Sequence, residues 1–317
     1  MTWLVLRQAR AQIIFMGVLL AALGVLLLVT GLDAASYISA HSQRGVCPGT
    51  GNACEEFQWA LKARYQLVYM IIGILPMVAH VLVGAFWGGP MIAREVERGT
   101  AKLAWTQSIT LRQWLSAKLG IAFLIVLIGG LVFSGMVSWW RNVVDQVYPV
   151  RFAAVDVFNV TGVSPAVWWT FMFALGAAAG AVFRRTLAAL AVAVSVGLIV
   201  LPVFSFLRPF YADPVRSVTV DTDAFPRDLL VAGMWLPPTG KEVAQPTSPK
   251  CPLSLYADSV DPRYLQCLKG EGYRYVTYHH PSSRYWEFQW KEAALLGAMA
   301  VLLTGVTVAR TRRLRAV

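Results

Sequence analysis

The sequence is poor in charged residues. Only 14% of its 317 residues are Asp, Glu, Lys or Arg, whereas a soluble globular domain usually carries about a quarter. Apolar residues make up 57% of the chain, and the mean hydropathy is +0.55. This balance excludes a large soluble enzyme, a disordered chain and a coiled coil, and it predicts an all-α membrane protein.

A phosphate-binding motif is also lacking. No stretch matches the G-x-x-x-x-G-K-[ST] pattern with which P-loop ATPases hold phosphates. At Gly240-Lys241, Trp235 stands in place of the first glycine and Glu242 in place of Ser or Thr. We therefore expect no catalytic residue and no bound cofactor in this chain, and any ATP hydrolysis must occur on another chain.

Six apolar runs are long enough to cross a bilayer, which takes roughly 20 residues. They cover residues 12–32, 66–87, 119–139, 166–183, 187–207 and 293–309. The first run exceeds the apolar region of a cleaved signal peptide, which spans about 7–15 residues. The sequence thus predicts six transmembrane helices, the first of them retained.

The basic residues of the short loops predict the orientation, because such loops stay in the cytoplasm. With the N-terminus inside, the cytoplasmic side holds Arg7, Arg10, Arg94, Arg98, Lys102, Arg112, Lys118, Arg184, Arg185, Arg310, Arg312, Arg313 and Arg315. An even number of spans returns the C-terminus to that side. This placement accounts for the net charge of +11 without a nucleic-acid partner.

Three regions follow from this topology. Residues 1–207 carry the first five spans, residues 208–288 form an extracellular domain, and residues 289–317 form the sixth span and a basic tail. Alternating apolar residues predict short strands at 216–222 and 272–278 of the extracellular domain.

Cysteine is scarce, and all four residues fall in predicted outside segments: Cys47, Cys54, Cys251 and Cys267. Disulfides persist in oxidising compartments. Four cysteines allow three pairings, of which Cys47–Cys54 with Cys251–Cys267 is the local one and the one we expect. A metal site is disfavoured, because neither pair has zinc-site spacing or an accompanying His cluster.

The loop between the second and third spans carries alternating charge. Gly88-Gly89-Pro90 is expected to end the second span, and residues 91–98 to form a two-turn helix that stops at Gly99. Thr110 followed by Gln113 predicts a capping box at the next helix start. The charges alone fit either a solvated loop or a docking element for a partner.

The stretch from Arg94 to Lys118 resembles the permease subunits of ABC-2-type transporters. The residues that fit the spacing of that family are Glu95, Gly99, Thr100, Leu103, Ile109, Thr110 and Lys118. Two positions depart from it: Ser108 replaces the turn proline, and Leu111 replaces an arginine. Residues 173–180, followed by Arg184-Arg185-Thr186, also resemble actinobacterial members, so that the resemblance covers essentially the whole chain.

The resemblance implies an exporter subunit in the plasma membrane of a high-GC Gram-positive bacterium, with a type V exporter-like transmembrane domain. Its partners would be a separate ATPase that binds ATP and Mg, a second permease copy or paralogue, and membrane lipid. A coupling helix at about residues 91–100 would contact the ATPase through Arg94, Glu95, Glu97, Arg98, Gly99 and Thr100. The apolar spans favour a drug, lipid or peptide as cargo.

Two features inside the spans have alternative interpretations. His80 follows Pro76 by four residues, and it either has a transport role, as ionisable residues in membranes often do, or bonds the carbonyls that proline leaves without a donor. Gly176 and Gly180 form a GxxxG pattern, which allows close helix packing within the chain or between subunits.

The segment from His279 to Glu287 supports a rival function. His279-His280 with Arg284 and Glu287 is the only cluster with catalytic character, and it would suit a membrane-embedded enzyme with an extracellular site. A His pair before Pro281 is more often a surface turn, which is the interpretation that we expect here. A second rival is a sensory or scaffold subunit that does not transport.

Overall fold

The structure is a computed structural model that describes residues 2–41, 52–98, 110–147, 151–219, 225, 227–238, 240–246, 248–252 and 261–313. The chain divides into two compact units. The helical unit comprises Met1–Pro149, Ala154–Phe206 and Trp286–Val317, and the second unit comprises Val150–Ala153 and Leu207–Tyr285.

The helices are mostly long. They are α1 (Thr2–His41), α2 (Asn52–Arg64), α3 (Gln66–Leu82), α4 (Gly89–Glu97), α5 (Leu111–Val144), α6 (Val155–Phe158), α7 (Ser164–Phe183), α8 (Thr186–Leu207), α9 (Pro262–Gly270) and α10 (Tyr285–Arg313). A π-helical segment, Val83–Gly88, joins α3 to α4.

Six helical segments among the described residues are long and apolar enough to cross a membrane, as the sequence predicted. They are Ala9–His41, Gln66–Glu97, Gln113–Val144, Ser164–Phe183, Thr186–Phe210 and Ser282–Arg313. Several extend beyond the predicted runs, since polar residues continue the helix past the apolar stretch. Helix α2 lies in a segment for which the sequence predicted no helix.

Helix α7 is the centre of the helical unit. Of its apolar window 78% is buried, against 39% or less for the other five segments. Its small residues allow neighbouring backbones to approach closely, while Trp168, Phe171 and Phe173 fill the remaining space. The other helices expose apolar faces, as a chain surrounded by lipid must.

The predicted end of the second span at Gly88-Gly89-Pro90 is wrong. Helix continues from Gln66 to Glu97 through the π-helical segment. The glycines serve packing instead of termination: a Cβ at Gly88 would clash with the carbonyl oxygen of Phe173 on α7. Pro90 sits in the first turn of α4, where its missing N–H costs little.

The second unit contains a three-stranded antiparallel sheet, so the all-α prediction needs correction for this unit. Its strands are β1 (Val215–Thr219), β2 (Leu229–Leu236) and β3 (Arg274–His280), in the order β1-β3-β2. Two of them lie close to the predicted strands. The third, β2, was missed because its sequence is apolar without alternation.

A disulfide and a small core hold the second unit together. Cys251 and Cys267 are bonded, and Trp235, Tyr264 and Leu268 pack beside them. Cys54 of the helical unit is also disulfide-bonded. The predicted partner Cys47 lies outside the described residues.

Candidate functional site

Helix α4 contacts three other helices of its own unit, two of them through charged side chains. Its first link is an ion pair between Glu95 and Lys118 on α5. The two side chains are only 19% and 11% exposed. The ammonium group of Lys118 also lies 5.0 Å from the ring centroid of Trp114. Because the pair is largely shielded from water, its electrostatic attraction is stronger than that of a surface pair.

The second link joins α4 to the start of α8. The carboxylate of Glu97 accepts hydrogen bonds from the backbone N–H of Thr186 at 2.9 Å and from its hydroxyl at 2.6 Å. Thr186 is the first residue of α8. The first N–H groups of a helix lack partners within the helix and attract negative charge, so Glu97 caps α8 from another element.

The third link is the packing of glycines against α7. A Cβ at Gly176 would clash with the carbonyl oxygen of Gly84, and one at Gly180 would lie 2.6 Å from that of Gly89. The GxxxG pattern is therefore occupied within the chain. It sets the π-helical segment and α4 directly on the central helix.

Two arginines on α4 differ from the glutamates. Arg94 and Arg98 are exposed, and neither forms an ion pair with another residue that the structure describes. The charged side chains of this segment therefore fall into two groups. The glutamates bind neighbouring helices, while the guanidinium groups are open to solvent or to a partner.

A cleft of about 430 Å³ opens beside these residues. Helices α1, α4 and α5 and the π-helical segment contribute to its wall. The lining residues are Ala9, Ala11, Gln12, Trp87, Pro90, Met91, Arg94, Glu95, Arg98, Lys118, Ile121, Ala122 and Ile125. The cleft therefore combines an apolar wall with a charged one.

The expected partner contacts are only partly brought together. Arg94, Glu95 and Glu97 lie on α4 and Arg98 is its C-terminal cap, whereas Gly99 and Thr100 lie outside the described residues, as does the expected stop at Gly99. Beyond that gap the predicted capping box is present: the Thr110 hydroxyl accepts a hydrogen bond from the Gln113 N–H, and the Gln113 side chain accepts one from the Thr110 N–H.

His80 is buried in the helical unit. Its ring meets Trp168 edge-on, with centroids 5.5 Å apart. The Pro76 carbonyl lies beside the ring, but neither ring nitrogen makes a hydrogen bond of ordinary geometry. Trp168 donates to Glu292 of α10 at 2.8 Å. Sequence reasoning did not single out Glu292, because it directly precedes the predicted sixth span and no local pattern reveals Trp168 as its partner.

The expected surface turn at His279-His280 is wrong. Both residues belong to β3 and are buried. His280 is structural: its Nε2 contacts the Pro209 carbonyl at 2.9 Å. Glu287 accepts a hydrogen bond from Lys291, one turn away on α10, at 2.7 Å.

A family model described as ABC-2 membrane transporter related matches residues 17–208, more than half of the chain. The chain belongs to this family. The recognition made from the motif around Glu95 is thereby confirmed. The matched region includes α4 together with α5, α7 and α8, the helices to which α4 is bonded.

No curated protein and no solved structure matches the chain. Family membership and six apolar helices identify a multi-pass membrane protein and the membrane component of a transporter. Permeases of this kind typically pair with an ATPase subunit.

Proposed function

We propose that this chain is the permease subunit of an ATP-driven exporter in the plasma membrane, and that a separate ATPase docks on α4. Both termini would be cytoplasmic, and residues 208–288 would lie outside. Two permeases, identical or paralogous, would assemble with two ATPases. The observation that carries the proposal is that α4 forms the end of one span and contacts three other helices.

The charges of α4 have two separate tasks in this proposal. Arg94 and Arg98 are exposed and bind the ATPase, where carboxylates or backbone carbonyls could accept bidentate hydrogen bonds from guanidinium groups. Glu95 and Glu97 do not contact the partner. In this proposal they fix α4 to α5 and α8.

The links convert a displacement of α4 into a displacement of several spans. Removing one partner of a buried ion pair costs about 3–5 kcal/mol, and the partly exposed Glu95–Lys118 pair should fall below that range. In this proposal, the attraction between Glu95 and Lys118 makes α5 move together with α4. The glycine contacts with α7 resist compression because backbone touches backbone, so ATPase closure moves a rigid body.

The cargo is an amphipathic or hydrophobic molecule such as a drug, lipid or peptide. The cleft beside α4 supports this class, because it presents apolar side chains such as Ile121 and Ile125 opposite the basic groups of Arg94 and Arg98. Such a surface suits a ligand with one apolar and one polar end.

The docking role is tested by co-purification with the ABC ATPase subunit that is proposed as the partner of this chain. We expect Arg94→Ala with Arg98→Ala to reduce recovery of the ATPase at least tenfold, while Arg312→Ala, a matched exposed arginine at the C-terminal end of α10, leaves recovery unchanged. Equal recovery with both variants would contradict docking on α4. Failure of the wild type to bind or stimulate any ATPase would favour a sensory or scaffold subunit.

A further inference from the structure

Three side chains of the second unit form a continuous hydrogen-bonded chain. The hydroxyl of Ser217 lies 2.9 Å from Nε2 of His279. On the other side of the ring, Nδ1 of His279 lies 2.8 Å from a carboxylate oxygen of Asp228. The order of atoms is that of a Ser-His-Asp catalytic triad, which is recognised by geometry and recurs on unrelated folds.

The sheet positions these groups. Ser217 on β1 pairs with Thr277 on β3. Side chains alternate across a strand, so His279 faces the same side as Thr277 and becomes the diagonal neighbour of Ser217. Asp228 directly precedes β2, and its second carboxylate oxygen accepts a hydrogen bond from the Ser282 N–H at 2.8 Å.

The surroundings suit an acid–base pair. Asp228 and His279 are 8% and 4% exposed, while Ser217 is partly open to solvent. The Phe225 ring stacks on the imidazole with centroids 4.0 Å apart. Because an ionised carboxylate only accepts hydrogen bonds, the Nδ1 atom carries the proton, and Nε2 presents its lone pair to the Ser217 hydroxyl.

We propose that Ser217 is the nucleophile of an acyl-transfer site in the second unit, with His279 as its general base and Asp228 as the positioning residue. The substrate class is a carboxylic ester. None of these groups belongs to the helical unit, and the site does not depend on the proposed transport.

The chemical step balances without a cofactor. The Ser217 oxygen forms a bond to the ester carbonyl carbon while Nε2 of His279 takes the hydroxyl proton. When the ester C–O bond breaks, that proton passes to the leaving alkoxide. Water then attacks the acyl-serine and gives its proton to His279. The bond from the acyl carbon to the Ser217 oxygen breaks, the proton passes from His279 to that oxygen, and the acid is released.

The position of β1 leaves room for the developing negative charge. It is an outer strand, and none of the strands that the structure describes pairs with its open side. An edge strand presents backbone N–H groups along that side, and such groups are the usual donors to an oxyanion. The carbonyl oxygen of a bound ester would lie against this edge.

The first test is covalent labelling of the purified full-length chain in detergent with a fluorophosphonate probe. We expect an adduct on Ser217, none in Ser217→Ala, and labelling slowed about 10³–10⁴-fold in His279→Gln. The control Thr219→Ala, which removes a hydroxyl two residues along the same strand, keeps the label. Peptide mapping of the Cys251–Cys267 disulfide checks that each variant is folded.

A second variant tests the base without relying on loss of function. In Ser217→Cys, His279 should draw off the thiol proton, so the rate of alkylation by iodoacetamide should exceed that of Ser217→Cys combined with His279→Gln at least tenfold. The positioning role of Asp228 predicts that Asp228→Asn lowers kcat for p-nitrophenyl acetate while KM stays unchanged.

A wild-type chain without an adduct on Ser217, or equal labelling of wild type and His279→Gln, would overturn the proposal and leave the trio as a structural chain that holds the sheet. Either result leaves the transport proposal intact, since labelling is measured without the ATPase.

Discussion

The candidate coupling site of the helical unit and the hydrogen-bonded trio of the second unit are assembled in different ways. In the first, the acids and bases that matter lie within about one turn of each other at the end of α4, and their partners lie in the first turns of neighbouring helices. In the second, Ser217, Asp228 and His279 come from two strands and the residue before a third. A site built on one helix leaves a local pattern in the sequence, whereas a site built across a sheet does not.

The units also differ in what makes them rigid. Backbone contacts between glycines set α4 on α7, whereas the second unit combines a small core with the Cys251–Cys267 disulfide. Substitutions in one unit should therefore have effects that reductant, pH or protease can separate from those in the other.

The largest effect is expected from enlarging a glycine of α7. In Gly176→Ala the new methyl group meets the Gly84 carbonyl, and because this neighbour is backbone it cannot rotate away. Overpacking typically costs about 1–3 kcal/mol and occasionally more, and because the clash is with backbone we expect a loss above that range. The matched control Gly120→Ala has nothing within 4 Å of the added carbon. Thermal stability in detergent, followed by size exclusion, distinguishes the two; equal stability would mean that the helices do not approach so closely.

Breaking the disulfide should destabilise the second unit alone. The bonded cysteines are separated by 16 residues, and a closed loop of this size contributes about 3 kcal/mol in the chain-entropy description. We expect Cys251→Ser with Cys267→Ser to expose residues 207–285 to limited proteolysis, while fragments of the helical unit stay protected. Equal sensitivity of both units, or of neither, would remove the contrast between them.

Removal of the cap that Glu97 provides should have a smaller effect. Glu97 is exposed, so water competes for its bonds, and Glu97→Gln keeps an oxygen that can accept one bond from Thr186 while losing the charge. The expected order of thermal stability is therefore wild type, Glu97→Gln, Glu97→Ala. A Glu97→Ala variant as stable as the wild type would show that α4 and α8 are not joined through this residue.

The smallest effect concerns pH. Hydrogen bonds from Arg216 and Tyr278 lower the pKa of Glu242 in the second unit below its ordinary value of 4.5. A carboxylate whose pKa is lowered by folding stabilises the folded state at pH values above its unfolded-state pKa. This contribution is lost as pH falls through the folded-state pKa. Unfolding of residues 207–285 should thus become easier in acid, and less steeply so in Glu242→Gln. An identical pH dependence in both proteins would show that solvent fully screens the ion pair between Arg216 and Glu242.

The sequence predicted the family, the six long apolar helices and the capping box at Thr110, because each leaves a local signal: a motif, a hydropathy run or a spacing of three. It did not predict the continuous helix through Gly88-Gly89-Pro90. Glycine and proline usually end a helix. Here Gly88 packs against α7 instead, and no local pattern in the sequence reveals that neighbour. Likewise, the sequence did not predict the ion pair of Glu95 with Lys118, because the pair depends on how α5 packs against α4.

The second unit was less predictable for the same physical reason. Strand β2 lacks alternation, and burial of His279 depends on strand pairing and on Asp228, 51 residues earlier in the chain. The sequence did single out His279 as chemically interesting, but it grouped the residue with Glu287, which is close in sequence, instead of Ser217 and Asp228, which are close in space.

The most direct test of the central claim, that α4 transmits ATPase movement to the spans through its glutamates, is ATPase stimulation in the reconstituted complex. We expect Glu95→Lys to retain the ATPase in the complex but to lose most of the substrate-stimulated turnover, because like charges then face each other at α5. The reversal Glu95→Lys with Lys118→Glu should recover at least half of it. Full turnover in Glu95→Lys, or no recovery in the double variant together with intact assembly, would contradict transmission through this pair.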